Sequence, residues 1–341
     1  KLEGNFLFAF TWAIGGSLYA KDRIAFNAQL FETLQGGFPK DKAYKLTVPL
    51  PENRRTFFDC VFQYQGDPAF VDWLDTMEDF AISDSAQYHE IIVPTADTER
   101  YNYLIANFLE HSLPCLLVGD TGTGKTIMLK SILTNKLDKD RYVTYVIQFS
   151  AQTGANGTQD QLEAKADVRR RKGTYGPPIN KKLIVFIDDL NMPELEEYGA
   201  QPAVELLRQW MDHTGWFNHK RDDVSFRRTE DLLFIGAMGP PGGGRNHTTP
   251  RFTRHFNTIA VPAFDDQTLK KIFTTLMDWL ITKGYPASMK SLSHNLVNAT
   301  VDVFQTLVEK LKPTPEKSHY TFNLRDVSKV FQGISLANAA K

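Results

Sequence analysis

Residues 119–126 read Gly-Asp-Thr-Gly-Thr-Gly-Lys-Thr, which satisfies the phosphate-loop pattern G-x-x-x-x-G-K-[ST] at every fixed position. Glycines let the backbone wrap a polyphosphate so that successive N–H groups point inward, and the positive end of the following helix dipole adds to the attraction. Lys125 is expected to reach the outer phosphates, and the Thr126 hydroxyl is expected to ligate Mg²⁺. The residue types and their order therefore predict a site for a nucleotide polyphosphate with Mg²⁺.

The segments on either side of this loop have the composition that a phosphate site needs. Residues 114–118 form a short apolar run typical of a buried parallel strand, and residues 127–133 are typical of the first turns of a helix. A strand before the loop and a helix after it are the context in which the pattern binds phosphate. A glycine-rich turn without a ligand is therefore the weaker alternative.

A second predicted strand ends in two carboxylates. Residues 183–187 are apolar and are followed by Asp188 and Asp189. Alone, this pattern is typical of a buried strand capped by acids, but beside a phosphate loop the first acid holds Mg²⁺. The second acid can orient the attacking water or accept its proton. Asp189 is one methylene shorter than the Glu common at this position, so we expect it to be a poorly placed general base.

Three arginines are candidates for contacts with phosphate. Arg251 and Arg254 follow the predicted strand at residues 232–237. Each can act as an arginine finger on the γ-phosphate of a neighbouring subunit, or form a surface or interdomain salt bridge. Arg325 opens the last predicted helix and can reach the phosphates of this chain's own site. The sequence leaves these alternatives open.

Two other motifs are interpreted as structural. Asn135-Lys136-Leu137-Asp138 matches the guanine-reading pattern N-K-x-D, but it begins only nine residues after Thr126, where the helix that leaves the loop ends. This position argues against a GTPase. The basic run at residues 169–172 is interpreted as a solvated helix end and loop rather than a nucleic-acid patch.

Composition limits the class of protein. With 341 residues, of which 42% are hydrophobic, the chain is long enough for two or three units with a sizeable core. A net charge of −1 argues against nucleic acid as a partner, and the longest apolar stretch, residues 6–18, is too short to cross a membrane. Cys60 and Cys115 are expected to be reduced core residues. The start at Lys1 rather than Met suggests an excised fragment.

The order of predicted elements indicates three parts. Residues 1–90 are mixed, residues 91–262 alternate strands and helices as in a doubly wound parallel α/β sheet, and residues 263–341 form a smaller all-helical unit. The predicted helices are 6–18, 24–34, 70–80, 98–109, 159–171, 203–213, 267–283, 290–312 and 324–340. The predicted strands are 56–64, 115–118, 143–149, 183–187 and 232–237.

The motifs together resemble an AAA+ ATPase, a phosphate-loop NTPase with a helical lid after its α/β sheet. Longer strings of sequence resemble a particular member, the third AAA+ module of an axonemal dynein heavy chain. The resemblance covers about residues 85–341, while residues 1–90 resemble the end of the second module's helical lid and the lead-in to the third module. The strings that carry it are residues 92–101, 188–193, 198–202, 205–212, 239–246 and 322–330.

The resemblance implies a role for each matching position. Pro94 and Thr95 would flank the adenine of ATP or ADP, and Arg325 would be the arginine that senses phosphate from the chain's own lid. Arg251 or Arg254 would be the finger offered to the preceding module's site. Thr126 and Asp188 would hold Mg²⁺, and Asp189 would stand where the hydrolytic Glu usually is. The remaining nucleotide-binding positions would be Gly119, Thr121, Gly122, Thr123, Gly124, Lys125, Ile127 and Leu324.

One further departure from the family pattern concerns Gly239, which stands where a polar Asn often senses the γ-phosphate. With Asp189, it predicts slow hydrolysis without affecting nucleotide binding. The implied function is an ATP-binding regulatory ATPase module in ciliary motility. Implied partners are adjacent modules of the same heavy chain, and microtubules and other dynein chains through parts outside this sequence. The implied location is cytoskeletal, in the cytoplasm and the axoneme of a cilium or flagellum.

Two alternatives to a slow ATPase remain. A module locked with ADP would serve as a rigid ring segment without turnover, and Asp189 and Gly239 are compatible with that function. An unrelated AAA+ remodelling ATPase would share the phosphate loop and the lid, although the long dynein-like strings argue against it.

Overall fold

The computed structural model describes residues 1–36, 47–51, 55–83, 85–88, 91–171, 173–220, 223–283 and 285–336. Within these ranges, no helix has both the length and the apolar character needed to cross a membrane. The helices are α1 (Leu2–Gly15), α2 (Ala20–Gly36), α3 (Ala96–Glu110), α4 (Lys125–Ser131), α5 (Ala155–Lys165), α6 (Pro202–His213), α7 (Pro250–Thr253), α8 (Asp266–Thr282), α9 (Lys290–Lys310) and α10 (Leu324–Ser335). The strands are β1 (Cys60–Gln63), β2 (Ala69–Asp72), β3 (Cys115–Val118), β4 (Tyr142–Gln148), β5 (Val168–Arg171), β6 (Thr174–Gly176), β7 (Lys182–Asp188), β8 (Gly215–Phe217), β9 (Phe226–Thr229), β10 (Leu232–Met238) and β11 (Asn257–Ala260).

A five-stranded parallel sheet forms the centre of the molecule, in the order β11-β3-β10-β7-β4. Its inner strands are almost continuously apolar, as expected for parallel strands that are covered on both faces. β10 lies between β3 and β7, with Ala237 opposite Leu117 and Ile235 opposite Phe186. The carboxyl ends of β3, β7 and β10 therefore meet at one edge, which is where the phosphate loop and the two aspartates begin.

Helices cover both faces of this sheet. On one face, Tyr101 of α3 and Leu129 of α4 are fully buried against strand residues. On the other face, Leu162 of α5 and Leu207 of α6 are fully buried. This arrangement confirms the predicted doubly wound α/β class. The sequence analysis missed the edge strand β11, because Asn-Thr-Ile-Ala is short and half polar.

A second, four-stranded sheet in the order β5-β6-β9-β8 was also not predicted. The predicted helix at 159–171 is wrong in its second half, since α5 ends at Lys165 and β5 pairs with β6 from Val168 onward. The basic run, apart from residue 172, which lies outside the described residues, is therefore part of an edge strand. Two of its charges have acidic partners, with Arg171 Nη2 at 2.7 Å from Glu230 Oε1 and Arg170 Nη2 at 3.3 Å from Asp231 Oδ2.

The N-terminal helices are attached to the edge of the large sheet. Arg23 of α2 is only 5% exposed and donates hydrogen bonds to the carbonyl oxygens of Gly16 (3.1 Å) and Ala260 (2.6 Å). The helix predicted at 70–80 is wrong. Residues 69–72 form β2, and the Asp72 side chain caps the short turn that follows by accepting from Leu74 N.

Helices α8, α9 and α10 form a separate core at the C-terminal end, centred on Phe273, Val297 and Phe331. Residues outside these helices, among them Val93 and Phe264, also pack into this core. The C-terminal part is helical as predicted, but α10 ends at Ser335, and residues 337–340 of the predicted helix lie outside the described residues. Cys60 and Cys115 are both buried and unpaired. Burial is the main cause that raises the pKa of Cys60 to about 11 and that of Cys115 to about 12.

Candidate nucleotide-binding site

The phosphate loop leaves the end of β3 and is held close to neighbouring strands. Gly119 N donates a hydrogen bond to Met238 O at 3.2 Å. A Cβ atom at Gly119 would lie 2.2 Å from the carbonyl oxygen of Val261, so no larger residue fits there without moving the backbone. Gly124, with φ of +81°, is the N-cap of α4. The two glycines allow the chain to turn sharply from strand to helix.

The Lys125 ammonium lies over this loop. Its Nζ donates to the carbonyl oxygens of Gly119 and Asp120, both at 2.7 Å, and to Thr123 Oγ1 at 3.1 Å. Burial, and after it the nearby guanidinium of Arg245, lower the pKa of Lys125 to about 8, although the carboxylates of Asp120, Asp188 and Asp189 act in the opposite direction. The ammonium is thus partly desolvated, has neutral oxygens as its hydrogen-bond acceptors and lies beside another cation. These surroundings fit a polyanionic ligand.

The structure brings together the two predicted Mg²⁺ ligands. Thr126 Oγ1 donates to Asp188 Oδ1 at 3.0 Å, linking the first turn of α4 to the end of β7. The backbone N–H of Asp189 donates to the same carboxylate oxygen at 3.1 Å. A hydroxyl and a carboxylate are the oxygen ligands that Mg²⁺ prefers beside substrate phosphates. Their contact beside Lys125 fits a Mg²⁺-nucleotide.

Asp189 has an unusual backbone and an arginine as its neighbour. Its φ is +52°, in the left-handed region, and its carbonyl accepts from Met192 N at 2.9 Å in a tight turn. Its Oδ1 atom lies 3.7 Å from Arg245 Nη2. Sequence reasoning did not single out Arg245, although a glycine at 239 and three glycines before the arginine were visible signals.

The start of α10 touches the loop. A Cβ atom at Gly122 would lie 3.3 Å from Leu324 N and 3.4 Å from Asn323 Cβ. Asn323 caps α10, because its Oδ1 accepts from Arg325 N at 2.8 Å. The Arg325 side chain has no hydrogen bond or ion pair with the described residues. Arg325 follows directly after Leu324, whose backbone N lies beside the phosphate loop.

The predicted adenine-flanking residues lie where the sheet and the C-terminal helices meet. Thr95 is 3% exposed, and its hydroxyl caps α3 by accepting from Thr98 N at 3.2 Å. Pro94 is half-buried and lines a cavity with Phe80, Val93 and Thr275. The same cavity is also lined by the charged side chains of Glu78, Asp79 and Lys271. Beside the loop, Thr121 and Ile127 are both exposed, Ile127 by 58%.

The two candidate finger arginines differ in their contacts. Arg254 Nη2 lies 2.9 Å from Asp212 Oδ1, and that carboxylate also contacts Arg208 and His255. Arg251 is exposed and has no ion pair with any residue that the structure describes. No hydrogen bond within the described residues joins either arginine to the phosphate loop.

The motif Asn135-Lys136-Leu137-Asp138, which matches the guanine-reading pattern, has a structural explanation. Asn135 and Lys136 form the last turn of the helix after the loop.

Comparison with known families decides the class. A family model described as a P-loop containing dynein motor region matches residues 80–264. Models described as a dynein heavy chain AAA lid domain and an AAA+ lid domain match residues 1–75 and 296–341. The chain belongs to the dynein motor-region family. This result confirms the resemblance to dynein and the AAA+ fold class, and it excludes an unrelated AAA+ remodelling ATPase.

Several curated relatives of this dynein motor region are axonemal. The chain is 44% identical over 342 residues to dynein axonemal heavy chain 3 of Homo sapiens, covering 98% of the chain and 8% of that relative. It is 41% identical to dynein axonemal heavy chain 1 of Mus musculus, covering 100% of the chain and 8% of that relative. It is also 41% identical to dynein axonemal heavy chain 12 of Rattus norvegicus, covering 98% of the chain and 11% of that relative. The chain thus spans about a tenth of these relatives' length. A solved structure of C. elegans PCH-2 aligns with a TM-score of 0.39 and 14% identity, covering 72% of this chain and 69% of that one.

Proposed function

We propose that the chain is a regulatory ATPase module of an axonemal dynein heavy chain, and that it binds ATP and ADP with Mg²⁺. The observation that carries the proposal is the meeting of three groups at one sheet edge. The Lys125 ammonium lies on the loop carbonyls at 2.7 Å, Thr126 contacts Asp188 at 3.0 Å, and Leu324 of the C-terminal helices abuts Gly122. Cation, metal ligands and lid are the parts that a phosphate-loop ATPase needs.

Each group has a separate task in this proposal. Lys125 holds the outer phosphates, and Arg325 reaches them from the lid when nucleotide is present. Thr126 and Asp188 hold Mg²⁺, which when bound supplies neutralisation of charge on the phosphate oxygens. Pro94 and Thr95 position the base beside Val93. Asp189 orients or deprotonates the attacking water.

Hydrolysis in this module is slow in our account. The Asp189 carboxylate is shorter than a Glu, starts from a left-handed backbone and lies 3.7 Å from Arg245 rather than free in the site. A finger that completes the site must come from the following AAA+ module. Slow turnover suits a module whose nucleotide state regulates its neighbours.

The division of the chain follows from this assignment. Residues 1–90 are the end of the preceding module's lid with a lead-in segment, residues 91–262 are the nucleotide-binding α/β subdomain, and residues 263–341 are its helical lid. Matches to a dynein lid, a motor region and a second lid occur in this order along the chain, which supports the division. The strings at residues 188–193 and 239–246 support the assignment to the third module.

The partners and location follow from the whole heavy chain to which the module would belong. Adjacent AAA+ modules are its direct partners, with Arg251 or Arg254 offered to the preceding module's site. Microtubules and other dynein chains are reached through other parts of the heavy chain, in the axoneme of a cilium or flagellum. Neither nucleic acid nor a membrane is a partner in this proposal.

Competition between nucleotides tests the proposed function. A fluorescent ADP analogue bound by the 341-residue chain should be displaced by ATP and ADP but not by GTP at similar concentrations. The base pocket beside Pro94 has no counterpart to the guanine reader, since Asn135-Lys136-Leu137-Asp138 lies at the end of the loop helix. A preference for GTP, or the absence of any nucleotide binding, would refute the proposal.

A second candidate is a ring segment that holds ADP permanently and does not turn over. The lack of a side chain at Gly239 and the pairing of Asp189 with Arg245 favour it. Phosphate release by a chain that includes the following AAA+ module separates the two candidates. Steady release of phosphate from ATP supports the slow ATPase, while tightly bound ADP without release supports the locked segment.

A further inference from the structure

Gly239 follows β10 at the edge where the phosphate loop begins, one residue after Met238, whose carbonyl binds Gly119 N. A Cβ atom at residue 239 would lie 2.4 Å from Arg245 Nε and 2.6 Å from Arg245 Cδ. The backbone of Gly239 has no positive φ, so other residues are compatible with its conformation. The Arg245 side chain therefore fills the space that a side chain at 239 would take.

The intervening loop is built to return Arg245 to this place. Gly242, Gly243 and Gly244 have φ values of +119°, +58° and +84°, which residues with a side chain rarely adopt. Gly242 N donates to Arg245 O at 3.0 Å, and Arg245 N donates to Gly242 O at 3.1 Å. This tight turn reverses the chain so that Arg245 lies beside Gly239.

Both ends of the loop are fastened to one buried side chain. Asn191 is 1% exposed, and its Nδ2 donates to Gly239 O at 2.8 Å and to Asn246 O at 3.3 Å. Asn246 N in turn donates to Asn191 O at 3.0 Å. Asn191 lies two residues after Asp189, so the turn that carries the second acid also fixes the position of Arg245.

The guanidinium of Arg245 is largely buried but incompletely bonded. Its Nη2 is 3.7 Å from Asp189 Oδ1, which is beyond hydrogen-bond distance, and its Nε is buried without any partner. Buried donors of this kind are costly unless an acceptor satisfies them. Arg245 is also close enough to lower the pKa of the Lys125 ammonium, while the carboxylates of Asp188 and Asp189 raise it, so both cations lie near the two acids at the sheet edge.

We infer that Arg245 contacts the terminal phosphate of a bound nucleoside triphosphate, in the place left free by Gly239. The inference rests on the proposed function, since it assigns a further residue to the same site. A planar guanidinium suits the oxygens of a phosphate and carries a full charge, unlike the Asn amide that this position often holds. Arg245 would thereby make the site prefer ATP over ADP.

Calorimetric titration of the 341-residue chain with Mg²⁺-ADP and with Mg²⁺ and a non-hydrolysable ATP analogue tests the inference. Arg245→Ala should weaken binding of the analogue by about ten- to hundredfold, the usual range for a hydrogen bond to a charged group. Binding of ADP should change by less than about threefold. Arg245→Lys keeps the charge and should retain part of the preference. An unchanged ratio of the two affinities in Arg245→Ala would overturn the inference.

A control and a second variant make the result specific. Arg227 is a matched control, because its side chain is 18% exposed, against 21% for Arg245, and forms ion pairs with carboxylates. It lies in the four-stranded sheet. Arg227→Ala should therefore leave the affinities for ADP and for the ATP analogue unchanged. Gly239→Val keeps Arg245 but places a side chain in the space that Arg245 occupies. It should therefore remove the preference for the ATP analogue over ADP, as Arg245→Ala does. If Arg245→Ala does not fold, Gly239→Val and Arg245→Lys decide the point. A preference kept by Gly239→Val would contradict the inference.

The outcomes separate this inference from the proposed function. If the wild-type chain binds neither ligand, the proposed function fails and the role of Arg245 fails with it. If the wild type binds both ligands and Arg245→Ala weakens them equally or not at all, the proposed function stands and only the inference about Arg245 is refuted.

Discussion

Two clusters of charged residues in this molecule have similar composition but differ in how closely their charges are paired. At the phosphate loop, Lys125 is held by neutral carbonyl oxygens and Arg245 has a buried Nε without a partner. At the junction of α6 and α7, the Asp212 carboxylate contacts Arg208, Arg254 and His255 within 3.0 Å. In the first cluster no carboxylate oxygen of the described residues lies within hydrogen-bond distance of either cation, the ion pair of Arg245 Nη2 with Asp189 Oδ1 being 3.7 Å long. In the second cluster one carboxylate contacts three basic side chains.

The difference shows how a ligand site can be told from a structural ion-pair cluster. Both clusters contain arginines that lie after recognisable sequence motifs. Residue type alone therefore does not distinguish the ligand site from the structural ion-pair cluster. A desolvated cation without a hydrogen-bonded anion is unfavourable until a ligand supplies one, whereas Arg208 and Arg254 already have close contacts with the Asp212 carboxylate. We therefore assign nucleotide binding to the loop and a mainly structural role to the Asp212 cluster within this chain.

The largest expected effect concerns turnover. Because the finger that completes this site would come from the following AAA+ module, the 341-residue chain alone should hydrolyse ATP slowly or not at all. Adding the following AAA+ module should raise the rate by up to about 10³–10⁵-fold, the range for an arginine finger. Phosphate release at matched concentrations measures this, and rapid multiple turnover by a verified monomer would contradict it.

The role of Asp189 can be read from the same assay. Asp189→Glu in the chain with its neighbour restored should speed turnover if the shortened acid limits hydrolysis. If the rate does not change, Asp189 is not limiting, and Gly239 with Arg245 or the geometry of the ring becomes the better explanation.

A smaller effect is expected from the metal ligands. Asp188→Asn should weaken binding of ADP about ten- to hundredfold in the presence of Mg²⁺, because a charged ligand of the metal is lost. In EDTA, mutant and wild type should bind ADP alike. Asp231→Asn is a suitable control, since Asp231 lies one residue before β10 begins, at the opposite end from the loop. Equal Mg²⁺ dependence of Asp188→Asn and wild type would exclude Asp188 as a ligand.

The pH dependence of binding should follow Lys125. Its pKa is lowered to about 8 in the free chain, so the ammonium is present below that pH and is lost as the pH rises through it. A bound phosphate favours the charged form, so binding between about pH 8 and 9 should take up a proton, and affinity should fall about tenfold per unit above pH 8. Calorimetry in two buffers of different ionisation enthalpy measures the uptake. Binding without proton uptake at pH 8.5 would contradict the assignment.

The smallest effect on binding is expected at the paired cluster. Asp212→Ala leaves Arg208, Arg254 and His255 without their shared carboxylate, so the melting temperature should fall. The affinity for ADP should stay the same, because the cluster makes no hydrogen bond to the phosphate loop in the described residues. Arg208→Ala is the matched control that removes one partner and keeps the carboxylate. A loss of ADP binding in Asp212→Ala would break the contrast between the two clusters.

The sequence was most informative where function is carried by a local motif. The loop at 119–126 could be predicted from the spacing of its glycines, lysine and threonine, and the strand before Asp188 from its apolar run. Both patterns can be recognised without knowledge of tertiary contacts. The proximity of Thr126 and Asp188 was expected because, in the phosphate-loop class, the strand that ends in the acids lies beside the loop. The start of α10 at Leu324 was likewise visible, since Asn323 is a strong N-cap.

What the sequence did not predict depends on tertiary contacts. The basic run in β5 reads as a helix end, but pairing with β6 and the acidic residues Glu230 and Asp231, which lie between β9 and β10, hold it as a strand. β11 is a strand because β3 offers it an edge, not because of its composition. Arg245 was missed since its place beside Gly239 depends on a loop that returns through Asn191.

The contrast between the clusters is tested most directly by calorimetric titration of Mg²⁺-ADP into four proteins: wild type, Lys125→Ala, Lys130→Ala and Arg254→Ala. We predict that Lys125→Ala abolishes tight binding, because the outer phosphates lose the loop ammonium, while Lys130→Ala on the same helix does not. Arg254→Ala should bind ADP as the wild type does. Equal affinity of Lys125→Ala and wild type, or loss of binding in Arg254→Ala, would contradict the account.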